Sequence, residues 1–358
     1  MTKFVKAACF IMASLFLTIF TACCGAANNI PTSPGKTDSS SVLEASCRQD
    51  ISGKGNLWAA KKLTLGYSQG YGAWSWGHAL YMSIQEAAKD WNVNLEFYDA
   101  QGKQDLQIKQ LRKFIAANVD VIGLYPCTTR GYEDILREMK AANIPVIIID
   151  RKIDTVDDSL YSGFIASDFH GQGQKAAEWL MDFVVENGRT DEVIKIVELQ
   201  GTIGSIPSEE RSKGFRQGIQ ENSKLKIIDS AEGVFSRMKG QEIMEKFLKK
   251  RKKIHALYAS NDFMALGALE AIEKAGLKPG KDIIIIGVDA EKEALEAIAS
   301  GKMNCSIEYT PLLGPMLMES CIKITNGEVL DKKIYPIEKI IDRKNVQEEL
   351  MKHTRYNY

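Results

Sequence analysis

Ile144-Pro145-Val146-Ile147-Ile148-Ile149-Asp150-Arg151 is an apolar run that stops abruptly at a carboxylate beside a guanidinium. So apolar a stretch suits a strand buried on both faces of a parallel sheet. In an open α/β sheet ligands sit in the crevice beyond the carboxyl ends of the strands, so both charges are aimed at a cleft. Asp accepts on two oxygens and Arg offers a planar fork of donors, a set that suits the vicinal hydroxyls of a sugar. The competing reading is an ion pair that closes a strand end.

Outward from this run, short apolar stretches alternate with amphipathic ones. Strand-like runs end near Tyr67, Tyr98, Leu124 and Asp150, and Leu80, Ile84, Ala87 and Trp91, then Ile108, Leu111 and Ile115, show helical spacing between them. A second series follows Ser167, with strands at Val193 to Leu199, Leu225 to Ile228, Ile254 to Tyr258 and Ile283 to Asp289, and a helix over Phe263 to Ala275. Such alternation predicts βαβ units and parallel sheets covered by helices. Each series ends a buried strand in an aspartate. The expected fold is therefore α/β, with two doubly wound parallel-sheet lobes joined by a hinge and a ligand cleft between them. Residues 62–165 plus about 308–338 are assigned to the N-terminal lobe, and 166–307 plus about 339–358 to the C-terminal lobe. The last segment is read as a strand from Met303, a helix over Leu313 to Asn326 and a final strand near Tyr335 to Ile341.

The 358 residues are 45% hydrophobic and 26% charged, enough for a large core. With 46 basic and 46 acidic residues, the formal charge of zero gives no global attraction to nucleic acid or anionic lipid. The run Lys249-Lys250-Arg251-Lys252-Lys253 reads as a solvated helix end opposing its own dipole. Lys3 and Lys6 precede an apolar stretch, Ala7 to Phe20, that is the length of a signal h-region and short for a membrane span. Phe20-Thr21-Ala22-Cys23 looks like a bacterial lipobox, so residues 1–22 are read as a lipoprotein signal peptide and Cys23 as the lipidated residue, with Cys24 as a second candidate. Residues 23–61, with Asn28, Asn29, Pro31, Pro34 and Ser39-Ser40-Ser41, read as a flexible tether. The protein is expected outside the cytoplasm, anchored through its lipid to a membrane. Cys47, Cys127, Cys305 and Cys321 have no spacing that suggests zinc and are read as thiols, one disulfide remaining open.

Gly66-Tyr67-Ser68-Gln69, Asp150-Arg151, Val197-Glu198-Leu199-Gln200-Gly201, Arg211-Ser212-Lys213-Gly214-Phe215, Ser260-Asn261-Asp262, Gly276-Leu277-Lys278-Pro279-Gly280 and Gly287-Val288-Asp289 occur in that order. With these motifs the chain, from about Lys62 to Glu348, resembles the type I periplasmic sugar-binding proteins of ABC importers. The galactofuranose-binding branch is most similar, the ribose binders less so. The resemblance implies that Asp150 and Arg151 bind ring hydroxyls from the first lobe, and that Arg211, in a helix begun at Ser208, Asn261 and Asp289 do so from the second. It also implies that Trp76 and Phe235 stack on the apolar face of the sugar, against the alternative that each packs in the core. Hydrogen bonds to charged groups net about 1.5 to 3 kcal/mol each, and micromolar binding needs about 8 kcal/mol, so a few contacts suffice. One position departs from the pattern. Gly77 stands where the galactofuranose branch carries Arg and the ribose branch an aromatic, so either Trp74 takes that space or the site admits a larger or differently shaped sugar. Asp99 and Glu308-Tyr309 fall near further contact positions.

The resemblance implies capture of a monosaccharide of galactofuranose, galactose or ribose type by hinge closure and delivery to ABC permease subunits, by a monomer without cofactor or metal. A sugar sensor facing a chemoreceptor or histidine kinase is the alternative. Gly171-Gln172-Gly173-Gln174-Lys175-Ala176 followed by Glu198 fits a dinucleotide fingerprint and raises an exported NAD-dependent oxidoreductase as a remote rival. A repressor would need a helix-turn-helix where the signal and tether stand. No enzyme is expected: Arg151 and Arg211 would hold the cleft carboxylates ionised, and His78, His170, His255 and His353 show no pairing suited to a metal or a nucleophile.

Overall fold

A computed structural model describes residues 62–72, 75–250 and 253–356. Cys23, the expected signal peptide and tether, Cys47 and Trp74 lie outside the described residues.

The first series folds as β1 (Thr64–Gln69), α1 (Ser75–Asp90), β2 (Asn94–Asp99), α2 (Gln104–Ala117), β3 (Val121–Tyr125), α3 (Glu133–Ala141), β4 (Val146–Ile149) and β5 (Gly163–Ile165). The second runs α4 (Phe169–Glu186), β6 (Ile194–Gln200), α5 (Ile206–Gln220), β7 (Leu225–Glu232), α6 (Arg237–Lys250), β8 (Ala256–Ala259), α7 (Asp262–Lys274), β9 (Ile284–Asp289), α8 (Lys292–Ala299) and β10 (Cys305–Glu308). The chain ends with α9 (Gly314–Thr325), β11 (Lys333–Ile334), β12 (Ile340–Asp342) and α10 (Val346–Tyr356).

These strands form two sheets, ordered β11-β5-β4-β3-β1-β2 and β12-β10-β9-β8-β6-β7. All described pairings are parallel except β10 with β12. In both sheets the order reverses beside the first strand, the topological switch point where doubly wound sheets bind ligands. Every residue of β3 and β4 is buried, as expected for strands sandwiched between helix layers. The chain passes between the sheets three times, after β5, after β10 and after β11. Those three links are the hinge. Two cores lie around each sheet, with Leu317, Met318 and Cys321 of α9 packed into the first lobe and Ile341 and Val346 into the second.

The structure corrects three expectations. The single strand near Tyr335 to Ile341 is two short strands in different sheets, because Pro336 lacks an N–H for a ladder and the chain changes lobes there. Tyr335 and Ile337 are consequently exposed. The helix carrying Arg211 begins at Ile206, with Pro207 in its first turn, instead of at Ser208. The dinucleotide-like motif lies inside α4, between a strand of the first sheet and a strand of the second, so no βαβ unit surrounds it. Its glycine serves helix packing: a Cβ on Gly173 would sit 2.1 Å from the Arg211 carbonyl oxygen, and one on Gly214 would sit 2.0 Å from that of His170. With that geometry the oxidoreductase reading loses its only motif. Among the described residues the cysteines, Cys127, Cys305 and Cys321, are buried free thiols.

Candidate functional site

Asp150 leaves β4 with φ of 63°, its amide donating to the Ile165 carbonyl at 2.7 Å. Asp289, the last residue of β9, has φ of 119° and is followed by Ala290 at 60°. Carboxylate residues thus turn into sparsely populated backbone regions at corresponding strand ends of both lobes. Such conformations cost about 1 to 3 kcal/mol each and concentrate at ligand clamps.

Asp150 and Arg151 do not pair with one another. The Tyr309 hydroxyl donates to Asp150 Oδ1, while Arg151 donates through Nη1 to the Cys127 carbonyl and lies over the Tyr71 ring at 5.4 Å. The Cys127 loop is itself anchored, since its amide donates to Gln107 Oε1 at 2.9 Å and the Gln107 amide donates to the Tyr125 carbonyl at 2.9 Å. Burial pushes the Asp150 carboxyl up from its ordinary value, while the Tyr309 hydroxyl and the guanidiniums of Arg151 and Arg211 pull it back.

On the second lobe Arg211 is only 3% exposed. Its Nε donates to Gln172 Oε1 at 2.8 Å, Nη1 donates to the Ser260 carbonyl at 2.7 Å, and Nη2 lies 3.0 Å from Asp289 Oδ1. These partners fix the guanidinium without using all of its N–H donors, so it is preorganised with hydrogen-bonding capacity left over. Burial raises the Asp289 carboxyl, with Arg211 and Asn261 opposing. Asn261 caps α7, accepting from the Met264 amide at 3.0 Å and reaching the Phe235 carbonyl at 3.5 Å.

The aromatics divide. Trp76 lies in the first turn of α1 and stacks on Tyr309 with centroids 5.0 Å apart and planes at 15°. Tyr125 meets it edge-on at 6.0 Å. Phe235 instead lays its ring on Gly201 and the second-lobe core. Both it and Val234 have positive φ, at 57° and 47°. Of the seven sequence-derived candidates, the structure therefore groups Trp76 and Asp150 around Tyr309, groups Arg211, Asn261 and Asp289 opposite, places Arg151 beside the first group, and ties Phe235 to the second through its carbonyl.

Gly77 has a local cause. Gln69 Nε2 donates to the carbonyls of Tyr71 and Gly77 at 3.0 and 3.1 Å, drawing the loop so close that a Cβ on Gly77 would sit 2.4 Å from the Tyr71 carbonyl oxygen. A side chain is excluded by backbone, and a cavity of about 290 Å³ borders this point, lined by Tyr71, Trp76, Gly77, Tyr125 and Arg151.

Sequence reasoning missed Gln172, which belonged to the misleading glycine motif. Besides accepting from Arg211, it donates to Glu338 Oε2 at 2.8 Å and to the Glu308 carbonyl at 3.3 Å. One buried amide thereby joins the site to two hinge segments. Ser167, on the first link, donates to Glu338 as well, and Lys175 holds the Glu338 carbonyl at 2.7 Å. Glu308 is likewise a hinge residue, accepting from the Lys339 amide at 3.0 Å.

Burial pushes the Glu338 carboxyl from 4.5 to about 7, against the hydrogen bonds of Ser167 and Gln172 and the charges of Arg211 and Lys175. A carboxyl raised in the folded state favours folding below its unfolded value, and that contribution fades as pH rises through about 7. Glu338→Gln is expected to flatten the fall in unfolding free energy between pH 5 and 8, by roughly 3 kcal/mol at most. Urea unfolding of both proteins checks this. Glu291, also near 7, is present in both and cancels in the difference. An unchanged slope would remove Glu338 as the source.

Two parallel-sheet lobes, a three-stranded hinge and opposed charged strand ends define a clamshell binding protein. The chain belongs to the periplasmic binding protein family: residues 67–328 match its periplasmic binding protein domain. It is 37% identical over 278 residues to the galactofuranose-binding protein YtfQ of Escherichia coli, covering 77% of this chain and 86% of that one. A Mycobacterium smegmatis protein solved in complex with β-D-fucofuranose is 40% identical, with a TM-score of 0.64 over 82% of this chain and 96% of its own. The periplasmic component of the arabinose ABC transporter of Shewanella sp. ANA-3, bound to α- and β-L-arabinofuranose, is 39% identical, with a TM-score of 0.66 over 82% and 96%.

Proposed function

We propose that this protein captures a monosaccharide between its lobes by hinge closure and delivers it to an ABC import permease. The observation that carries this reading is the convergence of Asp150 and Trp76 from one lobe, and of the Arg211–Asp289 pair from the other, on Tyr309 in the second link. A ligand stabilises closure only through differential contacts, which a clamp with polar groups on both lobes supplies. The sugars named for its relatives support a monosaccharide, and their transporter roles support import.

Asp150, Arg151, Arg211, Asn261 and Asp289 are assigned to the ring hydroxyls and Trp76 to the apolar face, with Phe235 contributing through its carbonyl by way of Asn261. Cys23 is the lipid attachment point that keeps the protein at the outer face of a membrane. Fatty-acid labelling that persists in Cys23→Ser would remove that assignment. For the main reading, a thermal-shift panel of galactose, fucose, arabinose and ribose is expected to show at least one sugar raising the melting temperature by several degrees at millimolar concentration. No shift with any sugar would contradict it. Co-purification with permease subunits, instead of a sensor kinase or chemoreceptor, separates import from sensing.

A further inference from the structure

Three groups fix the Arg211 guanidinium, and two of them, the Ser260 carbonyl and Asp289, stand at strand ends of the second lobe. The third, Gln172, belongs to the hinge as well. It lies in the first turn of α4, just past the first link, and is 1% exposed. Its amide oxygen accepts from Arg211 Nε at 2.8 Å, while its nitrogen donates to Glu338 Oε2 at 2.8 Å and to the Glu308 carbonyl at 3.3 Å. The reverse orientation would set N–H groups against the guanidinium and an oxygen against a carboxylate, so the charges on either side dictate the amide's direction. Glu338, in the third link, is also buried, and its other oxygen accepts from Ser167 of the first link. All three links therefore meet at one amide–carboxylate pair whose far end is Arg211.

Resting on the reading of the cleft as a sugar site, we infer that Gln172 and Glu338 are positioning residues that tie the alignment of Arg211 to the state of the hinge. Neither touches the sugar. Movement of the lobes changes backbone angles in the links, which separates Ser167, Glu308 and Glu338 and deprives the Gln172 amide of its acceptors. The amide then no longer holds Arg211 Nε, and the guanidinium keeps only its second-lobe partners. Return of the links to the arrangement seen here restores the set, so an ordered Arg211 and this hinge state favour one another. A buried network of this kind is worth more than its separate bonds, and paired substitutions reveal the coupling.

Calorimetric titration of the intact protein tests the inference, with whichever of galactose, fucose, arabinose and ribose binds wild type most tightly. Gln172→Met keeps the length of the side chain and loses the amide, and Glu338→Leu cuts the connection at the hinge. Each is expected to weaken binding at least tenfold. The double variant is expected to fall no more than threefold below the weaker-binding single one, because both substitutions cut the same chain of bonds. Glu338→Gln still accepts from Gln172 and donates to Ser167, so its affinity should stay within threefold of wild type. Should Gln172→Met fail to fold, the contrast between Glu338→Leu and Glu338→Gln reads the same connection from its hinge end. Single variants within threefold of wild type, a double variant in which the two losses multiply, or a Glu338→Gln as damaging as Glu338→Leu would overturn the inference. If wild type binds none of the four sugars, the sugar-site reading falls and the inference with it.

Discussion

Arg211→Ala is expected to lower sugar affinity by roughly two to four orders of magnitude and to destabilise the fold by about 3 to 5 kcal/mol at neutral pH. The affinity loss follows from removing the spare donors of a guanidinium already held in place by Gln172 and the Ser260 carbonyl. At about 1.4 kcal/mol per tenfold, two charge-assisted hydrogen bonds account for it. The stability loss has another origin. Without Arg211 the Asp289 carboxylate is left buried beside an emptied cavity, and its carboxyl, already raised by burial, rises further. A carboxyl raised on folding favours the folded state at low pH and loses that contribution as pH rises, so Arg211→Ala should recover much of its stability in acid. Adding Asp289→Asn should restore stability at neutral pH and leave binding lost. Were the double variant to regain affinity, Arg211 would be a structural partner of Asp289 alone.

Asp150→Asn is expected to separate binding from folding in the opposite sense. Asparagine tolerates the left-handed backbone at φ of 63° and still accepts the Tyr309 hydroxyl, so the local structure survives. Loss of the charge weakens the sugar contact by about 1.5 to 3 kcal/mol, roughly 10- to 150-fold in affinity. Stability should hold or rise, because burial already penalises the ionised carboxylate and a neutral amide escapes that penalty. Binding residues are selected at the expense of stability, and an isosteric neutral variant exposes the trade. Titration calorimetry with urea unfolding reads both. A variant that loses stability but keeps its affinity would assign Asp150 to closing the strand end.

Much of the architecture was legible in the chain because it rests on local pattern. Runs such as Ile283 to Asp289 are apolar on both faces, and the sheets place them where periodicity did. Asp150 and Asp289 were singled out by a positional rule, since a charge that ends a buried strand faces the crevice. Tyr309 obeys the same rule immediately after β10, but its role depends on the crossing of the chain between lobes, a long-range property. Gln172 was hidden by its neighbours: Gly171 and Gly173 suggested phosphate, whereas Gly173 lets α4 approach α5. The Phe235 ring could not be told from a core side chain because an aromatic after a strand suits both, and the backbone turn at Val234 and Phe235 decides its direction. The strand Gly163–Ile165 is too short to carry a period, and Lys333–Ile334 is shorter still.

One sugar is expected to bridge both lobes. A crystal structure grown with the sugar that gives the largest thermal shift shows whether it does. The expected result is a single monosaccharide with hydroxyls on Asp150 or Arg151 of the first lobe and on Arg211, Asn261 or Asp289 of the second. A sugar that touches one lobe only, or lies away from these side chains, would contradict it.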